Sequence, residues 1–244
     1  YFWADTFLAY NANEFDEFCE MYKEINLPFW MQTRPETVTE EKIKKLQKVG
    51  LHRMAFGLEH GNEEFRRKIL DRRWKNKDII NACNIPKKLG VPFSVNNITG
   101  FPKETRELAF DTIEINREID ANNQNIYSFV PFHGTPLRKL TESLGLISHK
   151  TITKCLTDKP QVVLPDYPPE VIEGIKRTFV LYVKFPKNRW KDIRRAEKFT
   201  DEGNKIYIEL KKEFLEKYMP KADVDPTSDV TMTNDDKRGY SDEM

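Results

Sequence analysis

The 244-residue sequence predicts an α/β fold with a parallel sheet, and two observations carry this prediction. Five short apolar runs alternate with amphipathic stretches of helical spacing, which is the pattern of consecutive βα units. The helical stretches also carry recognisable start and stop residues. Five such units in series form either a doubly wound open sheet or an arc of a barrel, and both place ligands at the carboxyl ends of the strands.

The predicted elements follow in order along the chain. The strands are residues 1–5, 28–33, 51–58, 91–99 and 125–132, and the main helices between them are residues 13–26, 77–89 and 104–119. Thr39 and Asn62 are expected to cap the helices that follow them. Pro86 lies inside a helical stretch, so a kink or break is expected there.

The chain changes character after residue 145. Residues 146–167 predict irregular structure, and three further helices are expected over 168–184, 188–199 and 201–218. The sequence is therefore divided into a sheet region (1–145), a C-terminal helical appendage (146–219) and a tail (220–244). The tail is polar and acidic with few large apolar residues, which predicts disorder.

The overall composition excludes several classes of protein. The 40 basic and 39 acidic residues balance to a net charge of +1, which argues against a nucleic-acid partner. The sequence has no run of about 18 apolar residues, so no membrane span is predicted. Three scattered cysteines give no disulfide framework, so a reducing, cytoplasmic location is expected. The sequence opens on Tyr1 inside an apolar run, from which we expect an N-terminal truncation.

Polar groups at the predicted strand ends are the candidate binding residues. A formal charge at the end of an apolar strand is costly unless it is paired or holds a ligand. Carboxylates suit an ammonium group or ribose hydroxyls, a guanidinium suits a carboxylate, and a Gly-Phe-Pro turn could pack a flat base. A zwitterionic amino acid joined to a nucleoside would use all of them. The candidates are Asp5, Arg34, Glu59, Asn97, Gly100, Phe101, Pro102 and His133.

Each candidate also has a purely structural interpretation. Glu59 could cap the next helix, Arg34 could form an ion pair at the edge, and His133 could be a packed histidine. An unrelated barrel hydrolase or lyase is a further alternative. It would pair Asp5 or Glu59 with His60 or His133, with a carboxylate and an imidazole about 3 Å apart.

Five short motifs at these strand ends together resemble one family. They read ADTF (4–7), TRP (33–35), GLEHG (57–61), GFPKET (100–105) and PFHGTPL (131–137). In this order they resemble the radical S-adenosylmethionine (radical SAM) enzymes, nearest the branch associated with a cobalamin-binding domain. The resemblance covers about residues 1–145. It implies an incomplete (βα)6 TIM-like partial barrel, lacking its first strand.

The resemblance also implies an activity and cofactors. Family members bind a [4Fe-4S] cluster through a CxxxCxxC loop and cleave S-adenosylmethionine reductively, for radical or methyl transfer on a substrate. The implied partners are a small-molecule substrate and an electron donor such as ferredoxin or flavodoxin, and cobalamin is an implied cofactor of this branch. Asp5 would contact the methionyl amino group, Arg34 and Glu59 the amino-acid or ribose part, Asn97 and the turn at Gly100 the ribose and adenine, and His133 the adenine or substrate.

The sequence departs from the family pattern at several positions. It contains no CxxxCxxC, so no metal ligand is expected in this chain and the cysteine loop is expected upstream of Tyr1. Ala4 replaces an acid, His60 a Ser and Lys103 a Gly that are common in the family. A non-catalytic paralogue without a cluster, which binds S-adenosylmethionine or serves as a scaffold, is the alternative interpretation.

Overall fold

The computed structural model of the chain describes residues 1–219, which form a parallel sheet with helices. The strands pair side by side in chain order and all run in the same direction, and the sheet remains open. They are β1 (Phe29–Thr33), β2 (Leu51–Glu59), β3 (Phe93–Thr99) and β4 (Asn123–Ser128). This arrangement confirms the α/β partial-barrel prediction. It also places the four carboxyl ends along one edge, called here the strand-end edge.

The first apolar run does not form the predicted strand. Only Phe2 pairs with the sheet, through a parallel bridge to Met31 and an N–H donated to the Trp30 carbonyl at 2.8 Å. The backbone then turns away, because Phe7 and Leu8 are buried in the core and Leu8 donates its N–H to the Thr33 hydroxyl at 3.2 Å.

Nine α-helices lie within residues 1–219. They are α1 (Ala12–Ile25), α2 (Glu40–Gln47), α3 (Glu63–Ile69), α4 (Asn76–Lys88), α5 (Arg106–Ile119), α6 (Pro136–Ser143), α7 (Pro169–Lys184), α8 (Trp190–Ala196) and α9 (Asp201–Lys217). Thr39 and Asn62 cap α2 and α3 as predicted. A kink or a break was predicted at Pro86, and the break is wrong: α4 continues to Lys88, because a proline in the last turn removes only one backbone hydrogen bond. The kink stays a prediction.

The two faces of the sheet differ because side chains alternate along each strand. One face is apolar and packs against helices through residues such as Met31, Phe56 and Val95, which are fully buried. The other face, called here the open face, consists mostly of half-buried residues, and of these only Ile98 belongs to a hydrophobic cluster of residues 1–219. Its members are Trp30, Gln32, Arg53, Ala55 (buried), Gly57, Ser94, Asn96, Ile98, Asn123, Asn125 and Tyr127.

The last three described helices join the sheet through a second apolar cluster. Helix α7 packs against α5 and β4, and Phe179 and Tyr182 of α7 lie in the same cluster as Ile113 of α5. Arg117 reinforces this contact, since its Nη1 donates to the carbonyls of Tyr182 and Phe185 at 2.6 and 2.7 Å. The division at residue 145 stays a prediction. The predicted disordered tail, 220–244, lies outside the described residues.

Helix α5 approaches the loop after β2 so closely that only glycine fits at position 61. A Cβ on Gly61 would lie 2.2 Å from the Asp111 carbonyl oxygen, which is backbone and cannot rotate away. Gly61→Ala is therefore expected to lower the free energy of unfolding by about 1–3 kcal/mol, as overpacked sites do, in a urea denaturation experiment. Gly57→Ala is the matched control.

A Cβ on Gly57 would meet only the Glu59 carboxylate, at 2.7 Å, and that flexible group can move. The control variant should therefore keep most of its stability. Equal losses of stability in the two variants would contradict the close approach of α5.

Candidate functional site

Glu59 ends β2 in an unusual conformation that turns its side chain over the sheet. Its φ is +68°, which is uncommon for a residue other than glycine. The pairing with β3 is irregular there: Gly57 faces Asn96 and Glu59 faces Asn97, so β2 carries one extra residue. The carboxylate lies over Gly57, 2.7 Å from where a Cβ would stand. Glu59 therefore borders the open face at its strand end.

Arg72 pairs with this carboxylate, and the charge of Arg34 also acts on it. Arg72 Nη2 lies 3.3 Å from Glu59 Oε1, and the Glu59 side chain is only 19% exposed. Burial raises the pKa of Glu59, and the positive charges of Arg72 and Arg34 oppose that rise. The group thus combines an acceptor for ammonium or hydroxyl groups with guanidinium donors suited to a carboxylate. The predicted Arg34 is exposed just after β1, and its charge acts on Glu59, while Arg72 forms the ion pair.

Arg72 was not among the predicted site residues. The buried side chain of Arg66 holds the loop that carries it. Arg66 is 1% exposed, and its Nη1 donates to the His60 carbonyl at 2.6 Å. Its Nη2 donates to the Trp74 carbonyl at 2.9 Å, and its own carbonyl accepts the Arg72 N–H at 3.0 Å. Arg66 therefore folds the loop after α3 back toward the end of β2. The basic run over residues 66–77 was the only signal of this in the sequence.

Asn97 does not face the strand-end cleft. It is fully buried on the helix side, where its Oδ1 accepts from Asn116 Nδ2 of α5 at 2.8 Å and its Nδ2 donates to the Asn125 carbonyl at 2.9 Å. The prediction of Asn97 as a ligand group is corrected by this packing. Its neighbour Asn96 lies on the open face and accepts a hydrogen bond from the Asn125 side chain at 2.9 Å.

The turn at residues 100–102 is closed, contrary to the prediction that it packs a flat base. Glu104 Oε2 accepts the N–H groups of Gly100 and Phe101 at 2.6 and 2.9 Å. Phe101 is 2% exposed and Pro102 is buried, and Ile172 of α7 lies 3.1 Å from where a Cβ of Gly100 would stand. These three residues are therefore corrected from ligand contacts to scaffold.

Lys103 explains why glycine is common at its position in the resembled family. Its φ is +69°, in the left-handed region that glycine enters without strain. The turn nevertheless closes here, because Glu104 holds both of the preceding N–H groups. Its other oxygen, Oε1, accepts from the Thr99 hydroxyl at 3.1 Å.

His60 is paired with a buried acid and not with the candidate carboxylates. Its Nδ1 accepts the Asn62 N–H at 3.1 Å, and its Nε2 points toward Glu104 Oε1 at 3.4 Å. Both side chains are 0% exposed, so no substrate could reach this pair. His60 therefore cannot form the acid–base pair with Asp5 or Glu59 that the hydrolase or lyase alternative requires.

Asp5 and His133 lie on the surface near the two edges of the sheet. Asp5 is exposed in the turn that follows the Phe2 bridge. His133 is exposed in the loop after β4, and its Nε2 lies 3.3 Å from Arg138 Nη1. Their roles as ligand groups remain predictions.

The three cysteines do not fit an iron–sulfur cluster, which requires three thiolates at one point. Cys19 and Cys83 are buried in α1 and α4, while Cys155 is exposed in the segment before α7. Burial raises the pKa of the Cys83 thiol to about 12, so it is not a thiolate. Within residues 1–219 no group of three or more His, Cys, Asp or Glu side chains could hold a metal ion.

Two surface depressions are lined by residues that follow β1 or β2, but neither is lined by Glu59, Arg34 or Arg72. One, of about 790 Å³, lies between the start of α3 and α5 and is lined mainly by acidic side chains such as Glu63, Asp111 and Glu118. The other, of about 300 Å³, lies between Pro35 and α4. In the described part of the chain no helix has the length and apolar character of a membrane span.

The raised pKa of Glu59 predicts the pH dependence of a variant. A carboxyl whose folded pKa exceeds its unfolded pKa costs stability when it ionises, so this cost is absent in acid and grows as the pH rises through the folded pKa. Glu59→Gln is therefore expected to unfold at a higher temperature than the wild type at pH 7, with the difference shrinking toward pH 4. A difference in melting temperature that grows toward acid would contradict the burial of this carboxylate.

Comparison with known proteins agrees with this fold and with the motifs. The radical SAM superfamily model matches residues 5–114. An uncharacterized methyltransferase of Pyrococcus horikoshii is 24% identical over 79% of this chain and 42% of its own length. A tRNA-2-methylthio-N(6)-dimethylallyladenosine synthase of Halalkalibacterium halodurans is 27% identical over 47% of this chain and 22% of its own length. The chain thus spans less than half of either relative.

Two solved structures share the fold at low sequence identity. The methyltransferase TsrM of Kitasatospora setae, solved with cobalamin and a [4Fe-4S] cluster, has a TM-score of 0.50 at 12% identity, over 82% of this chain and 49% of that one. The cobalamin-dependent enzyme OxsB has a TM-score of 0.52 at 12% identity, over 85% of this chain and 37% of that one. The radical SAM superfamily model thus matches the part of the chain from Asp5 to Glu114, which contains β1 to β3 of the open parallel sheet.

Proposed function

We propose that this chain holds S-adenosylmethionine at the strand-end edge and over the open face, as part of a radical SAM enzyme that acts on a small-molecule substrate. The observation that carries the proposal is the Glu59 carboxylate, which lies beside Arg72 and within the field of Arg34. An α-amino acid group carries one positive and one negative charge. This cluster offers a partner for each.

The open face supplies neutral groups for the rest of the ligand. Asn96 and Asn125 are cross-strand neighbours, and one carboxamide donates to the other at 2.9 Å, which leaves further donors and acceptors for ribose hydroxyls and base edges. Tyr127 adds a half-buried aromatic ring. We place the methionyl part at Glu59 and the adenosine along these side chains. Asp5 and His133 stay in the proposal as contacts at the two edges.

The cluster that the family uses must have its ligands elsewhere. Because Cys19, Cys83 and Cys155 do not converge, we propose that the cysteine loop belongs to sequence outside these 244 residues. Reductive cleavage of S-adenosylmethionine, with radical or methyl transfer, would then be an activity of the whole protein. A ferredoxin or flavodoxin as electron donor, cobalamin as a further cofactor and a cytoplasmic location complete the proposal.

Calorimetry with the chain alone tests the binding part of the proposal. S-adenosylmethionine is titrated into iron-free protein, and saturable binding is expected. Glu59→Gln and Arg72→Gln should each weaken binding by about tenfold or more, as loss of a charge-assisted hydrogen bond does. Glu118→Gln, at an exposed acid of α5, is the matched control and should bind like the wild type. Equal affinity in all four proteins would refute the site.

A second candidate function is a non-catalytic paralogue that binds S-adenosylmethionine without a cluster. The separation of the three cysteines favours it. The two functions differ in the gene product that includes any sequence upstream of Tyr1. Anaerobic reconstitution with iron and sulfide should yield a cluster and release of 5′-deoxyadenosine for the enzyme, and neither for the paralogue.

A further inference from the structure

The guanidinium of Arg138 is buried at the start of α6, and each of its N–H groups has a partner. The side chain is 4% exposed. Nε donates to Glu142 Oε1 at 2.8 Å, and Nη2 donates to the carbonyls of Ser148, His149 and Thr151 at 3.5, 3.2 and 2.9 Å. Nη1 donates to the Pro131 carbonyl at 3.0 Å and lies 3.3 Å from His133 Nε2.

The contacts of Arg138 determine whether His133 Nε2 donates or accepts a hydrogen bond. A guanidinium has five N–H donors and no acceptor. Nε is directed at Glu142, the two N–H groups of Nη2 are shared among the carbonyls of residues 148, 149 and 151, and Nη1 is directed at the Pro131 carbonyl and at the imidazole. His133 Nε2 must therefore accept, which requires its lone pair. The ring proton then resides on Nδ1, and that N–H points away from Arg138.

The position of His133 places its Nδ1–H at the strand-end edge of the sheet. His133 is exposed in the loop that follows β4, where the strand-end edge lies. The same guanidinium ties residues 148–151 to this loop, and the Thr153 hydroxyl also donates to the Pro131 carbonyl at 3.3 Å. The imidazole is thus held on a supported loop by a buried cation that cannot accept a proton.

We propose that Arg138 is a positioning residue that holds His133 as a neutral Nδ1–H donor at the strand-end edge, for an uncharged acceptor on the ligand. A carbonyl oxygen or an unprotonated ring nitrogen is the fitting chemistry, because a neutral imidazole N–H offers one directed hydrogen bond and no charge. The ligand part of this inference rests on the proposed function. The tautomer itself depends only on the contacts of Arg138.

Nitrogen-15 NMR of the histidine rings tests the tautomer directly. The chain has four histidines, so the His133 signals can be assigned from their loss in His133→Gln. At pH 8 the wild-type chain should show the proton on Nδ1 and an unprotonated Nε2. A proton found on Nε2 would overturn the inference, and this result needs no folded variant of Arg138.

Variants separate this contact from a general loss of structure. Arg138→Lys keeps the charge but loses the fork of donors, so the preference for Nδ1–H should disappear. Arg117→Lys is the matched control, because Arg117 also holds main-chain carbonyls, those of Tyr182, Val183 and Phe185, without touching a histidine. Its His133 spectrum should match the wild type. An unchanged spectrum in Arg138→Lys would overturn the positioning role.

Ligand binding is measured separately, by titration of S-adenosylmethionine into iron-free protein. His133→Gln should weaken binding about two- to tenfold, the usual effect of one neutral hydrogen bond. Wild-type affinity in this variant would overturn the ligand part of the inference. The proposed function is tested independently by the affinity of Glu59→Gln. Weaker binding in Glu59→Gln with unchanged binding in His133→Gln would overturn only the role of His133, whereas unchanged binding in Glu59→Gln would count against the proposed function.

Discussion

The structure depends on a parallel sheet that is covered by helices on one face and carries polar side chains on the other. Parallel sheets are usually buried on both faces and their strands are apolar throughout. Here β3 and β4 place Asn96 and Asn125 opposite each other on the half-buried face. Half-buried amides on a sheet face contribute little to folding, which agrees with the proposed binding role of this face.

The buried face provides the stability that such a site needs. Fully buried Met31, Phe56 and Val95 fix the register of three strands against the helices. At the end of β3, the Glu104 carboxylate closes the following turn, and α7 packs over it through Ile172. The N–H groups of Gly100 and Phe101 are therefore already bonded to Glu104 and are not available to a ligand. The chain therefore separates a rigid scaffold at the end of β3 from a polar, half-exposed region at the end of β2.

Much of the fold was predictable from the sequence, because periodicity and caps are local signals. The strands β1 to β4, the caps Thr39 and Asn62 and the helix Pro169–Lys184 all follow from spacing within a few residues. The first run failed as a strand, since an apolar run does not reveal that Phe7 and Leu8 turn into the core.

The candidate site was less predictable, because it depends on direction and on distant contacts. Alternation alone could have corrected Asn97, because Val95 and Phe93 lie two and four residues before it on the apolar face. Asn96 must therefore face the other way. Phe101 was predicted to contact the ligand, whereas Phe65 of α3 and Phe129 after β4 pack against its ring. Arg72 reaches Glu59 only through the packing of Arg66, which no local pattern encodes.

The central claim is that the ligand lies on the open face, and two neighbouring asparagines of β3 offer a direct measurement. S-adenosylmethionine is added to nitrogen-15-labelled protein, and the side-chain amide signals of Asn96 and Asn97 are followed by NMR. The account predicts a saturable shift for the open-face Asn96 carboxamide. It predicts little change for Asn97, whose carboxamide is buried against Asn116. A shift confined to Asn97, or no shift at either residue while the ligand binds, would contradict the account.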